Sequence, residues 1–335
     1  MASVAREPVL LNALNKQDEP ILSVLMPVRN SQAYVERAIE SILEQSFPSF
    51  ELIIIDDDSD VETKQILKAW SGRDSRILIE TNRARRGVTW SLNRALSLAR
   101  GSFIARHDAD DWSSPQRFQT QLNFLDSNAD IALVGTWTII VDSRGEPMRQ
   151  KKWPSDPAKI AERLVTQNVI THGSICARKE LFERCGGYRD FFPVSQDRDL
   201  WLRAIEQFKL SNIPQFLYFL RSHDQSVSAQ RKRAKQIAGR VMIDCMEARR
   251  RTGRDALGTH YGMPAAVAQV KSHSEKSYEL LFAISGQSAQ DSKYSLWEES
   301  KILAASLLLW PLNRPAWLEL WWIFKRTARA VIRVV

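Results

Sequence analysis

The chain opens, after a mixed polar stretch over residues 1–20, with short apolar blocks that alternate with segments of helical period. Ile21 to Val28 is an apolar run of strand length. Val35, Ile39, Ile42 and Leu43 then recur at the spacing of one helix face, with Asn30 or Ser31 as the expected cap and Phe47-Pro48 as the stop. Glu51 to Ile55 predicts a second strand, Ile66 to Trp70 the continuation of a helix, Arg76 to Glu80 a third strand, and Val88 to Ala99 a helix stopped by Gly101. A fourth strand begins at Phe103. Strands and helices alternating at this pitch predict βαβ units, an α/β fold with a mostly parallel central sheet flanked by helices.

Further along, the pattern predicts a helix over Pro115 to Ser127 and a long strand over Ile131 to Val141 that turns through Asp142 to Gly145 into a hairpin. A short helix follows over Ile160 to Val165, then a strand over Val169 to Ala177 carrying His172, Gly173 and Ser174. Lys179 to Cys185 predicts a helix closed by Gly186-Gly187, Asp197 opens another, and Ile213 to Leu220 a strand ending in Arg221-Ser222-His223. From Ser226 to about Arg254 the pattern is helical and basic, and the remainder is helical with a polar interruption at Ser285 to Ser292. The expected organisation is a polar leader (1–20), a catalytic α/β domain (21–225) and a C-terminal helical extension (226–335).

Chemistry gathers where the strands end. Val28-Arg29-Asn30, Asp56 to Asp60, Asn82 to Gly87 and Asp108 to Asp111 each follow a successive strand, and ligands of open parallel sheets sit outside the carboxyl ends of the strands. Asp108, Asp110 and Asp111 crowd three carboxylates into four residues. Such charges repel unless a cation, hydrogen-bond donors or water compensate them, and a divalent ion completed by diphosphate oxygens would do so. An acidic turn capping the helix after Pro115 is the simpler alternative. Neither a Gly-x-Gly-x-x-Gly nor a Gly-Lys-Ser/Thr loop follows these strands, which argues against an ATPase and against a dinucleotide-binding fold.

Composition narrows the class. With 44% hydrophobic and 26% charged residues the chain is an ordinary globular protein, and 47 basic against 39 acidic residues leave a net charge of +8. Cys176, Cys185 and Cys245 are odd in number and lack Cys-x-x-Cys spacing, which points to a reducing compartment and away from structural zinc. Ile302 to Phe324 is the most apolar region, but Pro311, Asn313, Arg314, Pro315 and Glu319 break it as a membrane span.

Taken in order, Ser23-Val-Leu-Met-Pro-Val-Arg-Asn30, Glu51-Leu-Ile-Ile-Ile-Asp-Asp-Asp-Ser59, Asn93-Arg-Ala-Leu-Ser-Leu-Ala-Arg-Gly101, Ala105-Arg-His-Asp-Ala-Asp-Asp111 with Pro115 and Arg117, Gly186-Gly-Tyr188 and Gln196-Asp-Arg-Asp-Leu-Trp-Leu-Arg203 resemble the family 2 inverting glycosyltransferases of the nucleotide-diphospho-sugar transferase (GT-A, Rossmann-like) fold. The resemblance covers most of residues 21–230. It implies that Pro27 and Asp57 flank the nucleotide base, with Val28, Arg29, Asn30 and Arg86 beside the nucleotide sugar. It implies that Asp108 lies near the ribose and metal, that Asp110 binds Mg²⁺ or Mn²⁺, and that Asp197 is the catalytic base. His223 would lie over the diphosphate and complete the metal shell, or belong to a surface loop; His172 and Gln196 would face the acceptor, His172 alternatively being a satisfied half-buried side chain. The sequence departs from the family at Asp58, where Gly is usual, and at Gln196, where Glu is common.

The chemistry follows from the residue types. A diphosphate leaving group needs charge neutralisation, which a metal supplies, and an attacking hydroxyl needs a carboxylate on the other face of the sugar. Asp199 is the rival base, although two residues on it faces away along the helix and can pair with Arg203. The expected partners are a UDP, GDP or dTDP sugar and a glycan or lipid-linked acceptor. Trp297, Trp310, Trp317, Trp321 and Trp322, followed by Lys325, Arg326, Arg329 and Arg333, have the composition of a helix lying in a membrane interface, so residues 297–335 are expected either to make a peripheral contact with the inner face of the cytoplasmic membrane or to pack on the domain. Two other classes compete. A receiver-like signalling domain would explain Ile53 to Asp58 but leaves Asp108 to Asp111 and Asp197 without a role. A nucleic-acid binder would use the nine Lys and Arg between Arg231 and Arg254, but no aromatic platform interleaves them, so no nucleic-acid partner is expected.

Overall fold

Strands β1 (Leu22–Val28), β2 (Phe50–Asp56) and β4 (Phe103–Arg106) are buried along nearly their whole length, which is why their sequences are mostly apolar, with the buried Ser23 hydroxyl donating to Glu51 at 2.7 Å; β3 (Ile77–Thr81), at the sheet edge, is only half-buried. The computed structural model describes residues 19–192, 194–222, 232–253, 255 and 257, with positions 317 and 321. The remaining strands are β5 (Trp112–Ser113), β6 (Ile131–Val141), β7 (Pro147–Lys151), β8 (Cys176–Arg178) and β9 (Lys209–Arg221). They form one sheet in the order β3-β2-β1-β4-β8-β6-β9-β5, with β7 hydrogen-bonded to β6.

The expected parallel sheet is found in β3-β2-β1-β4. Beyond it the sheet is mixed: β8 runs antiparallel to both β4 and β6, β9 parallel to β6, and β5 antiparallel to β9. Because β2 and β3 are laid down on one side of β1 and β4 on the other, the strand order reverses between β1 and β4. Such a reversal opens a crevice at the carboxyl ends. β4 also stops early: Leu25 pairs with Arg106, and β1 runs on to Val28 beside β2 alone.

Helices α1 (Val35–Leu43), α2 (Val61–Trp70), α3 (Val88–Leu98) and α4 (Arg117–Ser127) cover this half of the sheet. Val24, Met26 and Val28 of β1 join Ile39 and Ile42 of α1 and Phe118 and Leu122 of α4 in one core. Removing one such side chain to Ala typically costs about 2–5 kcal/mol, because the site collapses only partly. Helix α5 (Pro157–Leu164) is capped by Asp156, whose side chain accepts from the Lys159 amide at 2.8 Å, and α6 (Lys179–Cys185) is closed by Gly186 at φ 72°. Helices α7 (Gln196–Ala204) and α8 (Lys232–Thr252) complete the described elements.

Two local expectations are corrected. Neither Asn30 nor Ser31 caps α1 with its side chain. The helix begins only at Val35, after a turn in which the Tyr34 and Val35 amides donate to the Ser31 carbonyl, and Asn30 is used elsewhere. The strand expected over Val169 to Ala177 is confined to β8, because His172–Ser174 forms a 3-10 turn held by the Ser174 amide and hydroxyl on the Thr171 carbonyl. Gly173 is required there: a Cβ would lie 2.1 Å from the Tyr218 hydroxyl oxygen.

The chain divides into two compact units, Met1–Asp190 with Leu200–His223, and Phe191–Asp199 with Asp224–Val335. All three cysteines are buried and none is in a disulfide. Among the described residues no helix is long and apolar enough to cross a membrane.

Candidate active site

The carboxyl ends of β1 and β2 are stapled together by Asn30. Its amide donates to the Ser59 hydroxyl at 3.1 Å, and its side-chain oxygen accepts from the Asp60 amide at 2.9 Å. The Val28 carbonyl accepts from the Asp57 amide at 2.8 Å, so Pro27, Val28 and Asp57 share this rim, with Arg29 exposed on it. Asn30 and Asp58 both take left-handed backbone, φ 48° and 56°. The departure from Gly at position 58 thus has a simple reading: the position needs positive φ, which Gly adopts freely and Asp tolerates better than most residues.

Asp57 is buried and its carboxylate organises the next loop. One oxygen accepts from the Asn82 side chain at 2.8 Å and the Arg86 amide at 2.7 Å, and the other from the Gly87 amide at 2.8 Å. The Arg86 and Gly87 amides lead directly into α3, where a negative charge is favoured by the helix dipole. A carboxylate offers about four lone-pair sites, so these three donors leave capacity for one more. Arg83, Arg85 and Arg86 have exposed side chains, Arg86 with its guanidinium 5.6 Å from the Trp90 ring centroid.

Beyond β4 the chain makes the acid turn. Asp108 pairs with Arg106, a buried guanidinium on β4, and the Asp108 amide donates to the Tyr218 hydroxyl at 3.1 Å. Asp111 faces inward: it accepts from the Tyr218 hydroxyl at 2.7 Å on one oxygen and from the Arg221 amide at 2.7 Å on the other. Burial, and then the neighbouring Asp110 carboxylate, push its pKa up to about 7. Asp110 is half-exposed, and its carbonyl accepts from Arg221 Nε at 2.9 Å. Beneath the turn the fully buried Arg117 donates to the Arg106 and Ile175 carbonyls at 2.9 Å each, to the Ser113 hydroxyl at 2.9 Å and to Gln121 at 3.1 Å; burial lowers its pKa to about 10. His107 is enclosed there too. Its Nδ1 contacts the Asp108 carbonyl at 2.8 Å, so Nδ1 carries the proton, and burial followed by Arg117 and Arg106 keeps the ring neutral.

Among the described residues no three His, Cys, Asp or Glu side chains are gathered to hold a metal on their own. The donor set that is present is hard oxygen. Asp111 has both oxygens engaged within the fold, Asp108 pairs with Arg106, and Asp110 is half-exposed at the turn between them. That set fits a Mg²⁺ or Mn²⁺ ion held by one or two carboxylates and completed by substrate oxygens.

His172 is half-buried, with Nε2 2.8 Å from the Tyr188 hydroxyl and its ring centroid 5.4 Å from Tyr188 and 6.0 Å from Trp201; burial and then Arg106 hold its pKa well below 6.5. In the second unit, Gln196 is buried and Asp197 half-buried in the first turn of α7, and the Asp197 charge opposes the loss of basicity that burial imposes on Arg198 and Lys235. Asp199, the rival base, is 1% exposed. His223 lies outside the described residues. The structure therefore assembles Pro27 to Asn30, Asp57, Arg86, Asp108 and Asp110 along one sheet edge of the first unit. The sequence reading placed Asn82 at this edge but missed Tyr218 and Arg221 as its supports. The signal for Arg221 was a cation closing the apolar stretch Phe216 to Leu220.

Comparison with known proteins decides the family. Residues 23–186 match the model of glycosyl transferase family 2. EpsE of Bacillus subtilis is 34% identical over 206 residues, 60% of this chain and 73% of the relative. The O-antigen biosynthesis glycosyltransferase WbnJ of Escherichia coli is 33% identical over 210 residues, 62% and 81% respectively.

The chain belongs to glycosyl transferase family 2.

It is thus a glycosyltransferase, and the fold agrees. Residues 1–349 of S. aureus TarS, solved in complex with UDP-GlcNAc, superpose on this glycosyltransferase with a TM-score of 0.55 at 16% identity, covering 86% of this chain and 81% of that one. The matched family segment ends at residue 186, before Gln196 and Asp197.

Proposed function

We propose that this glycosyltransferase transfers a sugar from a nucleotide-diphospho-sugar, a UDP, GDP or dTDP sugar, to an acceptor hydroxyl with inversion at the anomeric carbon. The observation that carries the reading is the acid turn Asp108–Asp111 at the β1/β4 reversal, on the same edge as the loop that Asp57 orders. The remaining acceptor capacity of Asp57 suits an N–H of the nucleotide base, with Pro27 to Asn30 lining the rim and Arg86 offering a cation to phosphate. Asp110, with Asp108 beside it, would hold Mg²⁺ or Mn²⁺. When bound, that ion neutralises the charge that develops on the diphosphate leaving group. Asp197 takes the proton from the attacking hydroxyl as general base, and a single in-line displacement from the face opposite the leaving group inverts the centre. His172 and Gln196 serve the acceptor side, and His223 the diphosphate.

The acceptor class rests on kinship. WbnJ is named for O-antigen biosynthesis, which supports a role in cell-surface polysaccharide, lipopolysaccharide or glycolipid synthesis with a glycan or lipid-linked acceptor. A peripheral membrane contact through residues 297–335 would suit such an acceptor; Trp317 and Trp321, one helical turn apart, are 57% and 52% exposed.

Calorimetry with Mn²⁺ and a panel of UDP, GDP and dTDP sugars tests the donor assignment. Metal-dependent binding of one nucleotide class is expected; no metal-dependent binding of any of them overturns the reading.

A further inference from the structure

We infer that Arg221 is a positioning residue that sets the direction of the Asp110 carboxylate. The inference rests on the reading of the acid turn as the metal and diphosphate anchor. Arg221 ends β9, is 5% exposed, and directs its guanidinium donors at backbone carbonyls. Nε donates to Asp110 O at 2.9 Å, and Nη1 to Ser143 O at 2.7 Å and to Asp142 O at 3.2 Å. Its own amide donates to Asp111 Oδ1 at 2.7 Å. The guanidinium carbon lies 4.3 Å from the Tyr34 ring centroid and 5.2 Å from that of Trp112. One side chain therefore ties the acid turn to the β6–β7 hairpin turn and to the residue that precedes α1.

The consequence for Asp110 is geometric. Arg221 fixes the carbonyl of residue 110 and, through its amide, the side chain of residue 111, so the peptide plane joining them is held from both ends. On the other side the Asp108 amide is held by the Tyr218 hydroxyl. The Asp111 amide, which shares a peptide with the Asp110 carbonyl, donates to the Asp108 carbonyl at 3.4 Å, so the 110–111 peptide is held on both its polar groups and its plane restricts where the Asp110 Cβ points. Lysine could supply the charge but not the planar fork that reaches three carbonyls in different directions. Groups that orient a ligating carboxylate typically govern metal affinity by about 10- to 100-fold.

The test uses the full chain and Mn²⁺ binding followed by electron paramagnetic resonance, in parallel with UDP, GDP and dTDP. Arg178→Gln serves as control: Arg178 also caps carbonyls, of Leu125 and Ile131, but pairs with Phe103 at the opposite end of β4. Arg221→Gln is expected to weaken Mn²⁺ binding in the nucleotide complex about 10- to 100-fold. Arg221→Lys should remain at least about tenfold weak, while Arg178→Gln lowers the melting temperature and binds Mn²⁺ as the wild type does. Mn²⁺ affinity of Arg221→Gln within about twofold of wild type, or full recovery in Arg221→Lys, overturns the inference. If Arg221→Gln does not fold, Arg221→Lys alone carries the test. A wild type that binds no Mn²⁺ with any nucleotide overturns the reading of the turn itself, and the inference with it.

Discussion

His172 is held neutral by burial and by Arg106, so between its lowered folded pKa and the unfolded value near 6.5 the unfolded chain binds the extra proton. Stability contributed in this way is fully present above pH 6.5 and is lost as pH falls below it, by up to about 1.4 kcal/mol per pH unit for one such histidine. His172→Gln, which can still meet the Tyr188 hydroxyl, should flatten the pH dependence of urea unfolding between pH 6.5 and 5.5 by up to that amount; parallel curves for variant and wild type would show that the ring titrates normally. Asp197 is tested differently. Asp197→Asn keeps the shape of the α7 N-terminus and removes the basic oxygen, so it should bind nucleotide sugar like the wild type while transfer falls by about 10²- to 10⁴-fold. A variant that transfers sugar at the wild-type rate would move the base assignment elsewhere.

At the scale of the element, the loop from Asn82 to Gly87 has little regular structure of its own, and Asp57 supplies its order through the Asn82 side chain and the Arg86 and Gly87 amides. Asp57→Asn sets an amide nitrogen where one of these donors must be accepted. The expected loss is about 1–3 kcal/mol of stability, together with faster hydrogen exchange at Arg86 and Gly87. Unchanged protection at those two amides would mean that the loop is ordered by something other than Asp57. The same loop shows what was legible beforehand. Apolar blocks such as Leu22–Val28 and Phe50–Asp56 announce buried strands because burial on both faces leaves no room for alternation, and their order puts Asp57 and Asp108 on one edge. What Asp57 accepts from was not legible, since its partners lie 25 to 30 residues away and two of them are backbone amides. The 3-10 turn at His172–Ser174 was hidden for a similar reason: it brings Gly173 against the Tyr218 hydroxyl 45 residues on, an approach that only the missing Cβ admits. Tyr218 and Arg221 escaped notice because a strand pattern records burial and not which atoms a side chain reaches.

On the scale of the whole molecule, a soluble donor and a lipid-linked acceptor would have to meet at a surface, which gives the distribution of charge and tryptophan along the chain a role. Trp317, Trp321, Lys325, Arg329 and Arg333 recur every four residues, so a helix through them would turn them by about 40° at each step, setting the two indoles side by side and the cations on the face that follows. Trp317 and Trp321 are both largely exposed. Indoles favour the interfacial zone of a bilayer, and each Lys or Arg near an anionic surface adds about 1 kcal/mol of attraction. Replacing Lys325, Arg326, Arg329 and Arg333 with Gln in the full chain should therefore weaken sedimentation with vesicles of anionic phospholipid by as much as about 10³-fold at low salt, with much of the difference lost as salt is raised. Replacing Trp317 and Trp321 with Ser should weaken binding with little salt dependence, because it removes buried apolar area rather than charge. If both sets of variants sediment with the vesicles as the wild type does, the tail packs against protein, and the acceptor must reach the enzyme without a membrane contact from residues 297–335.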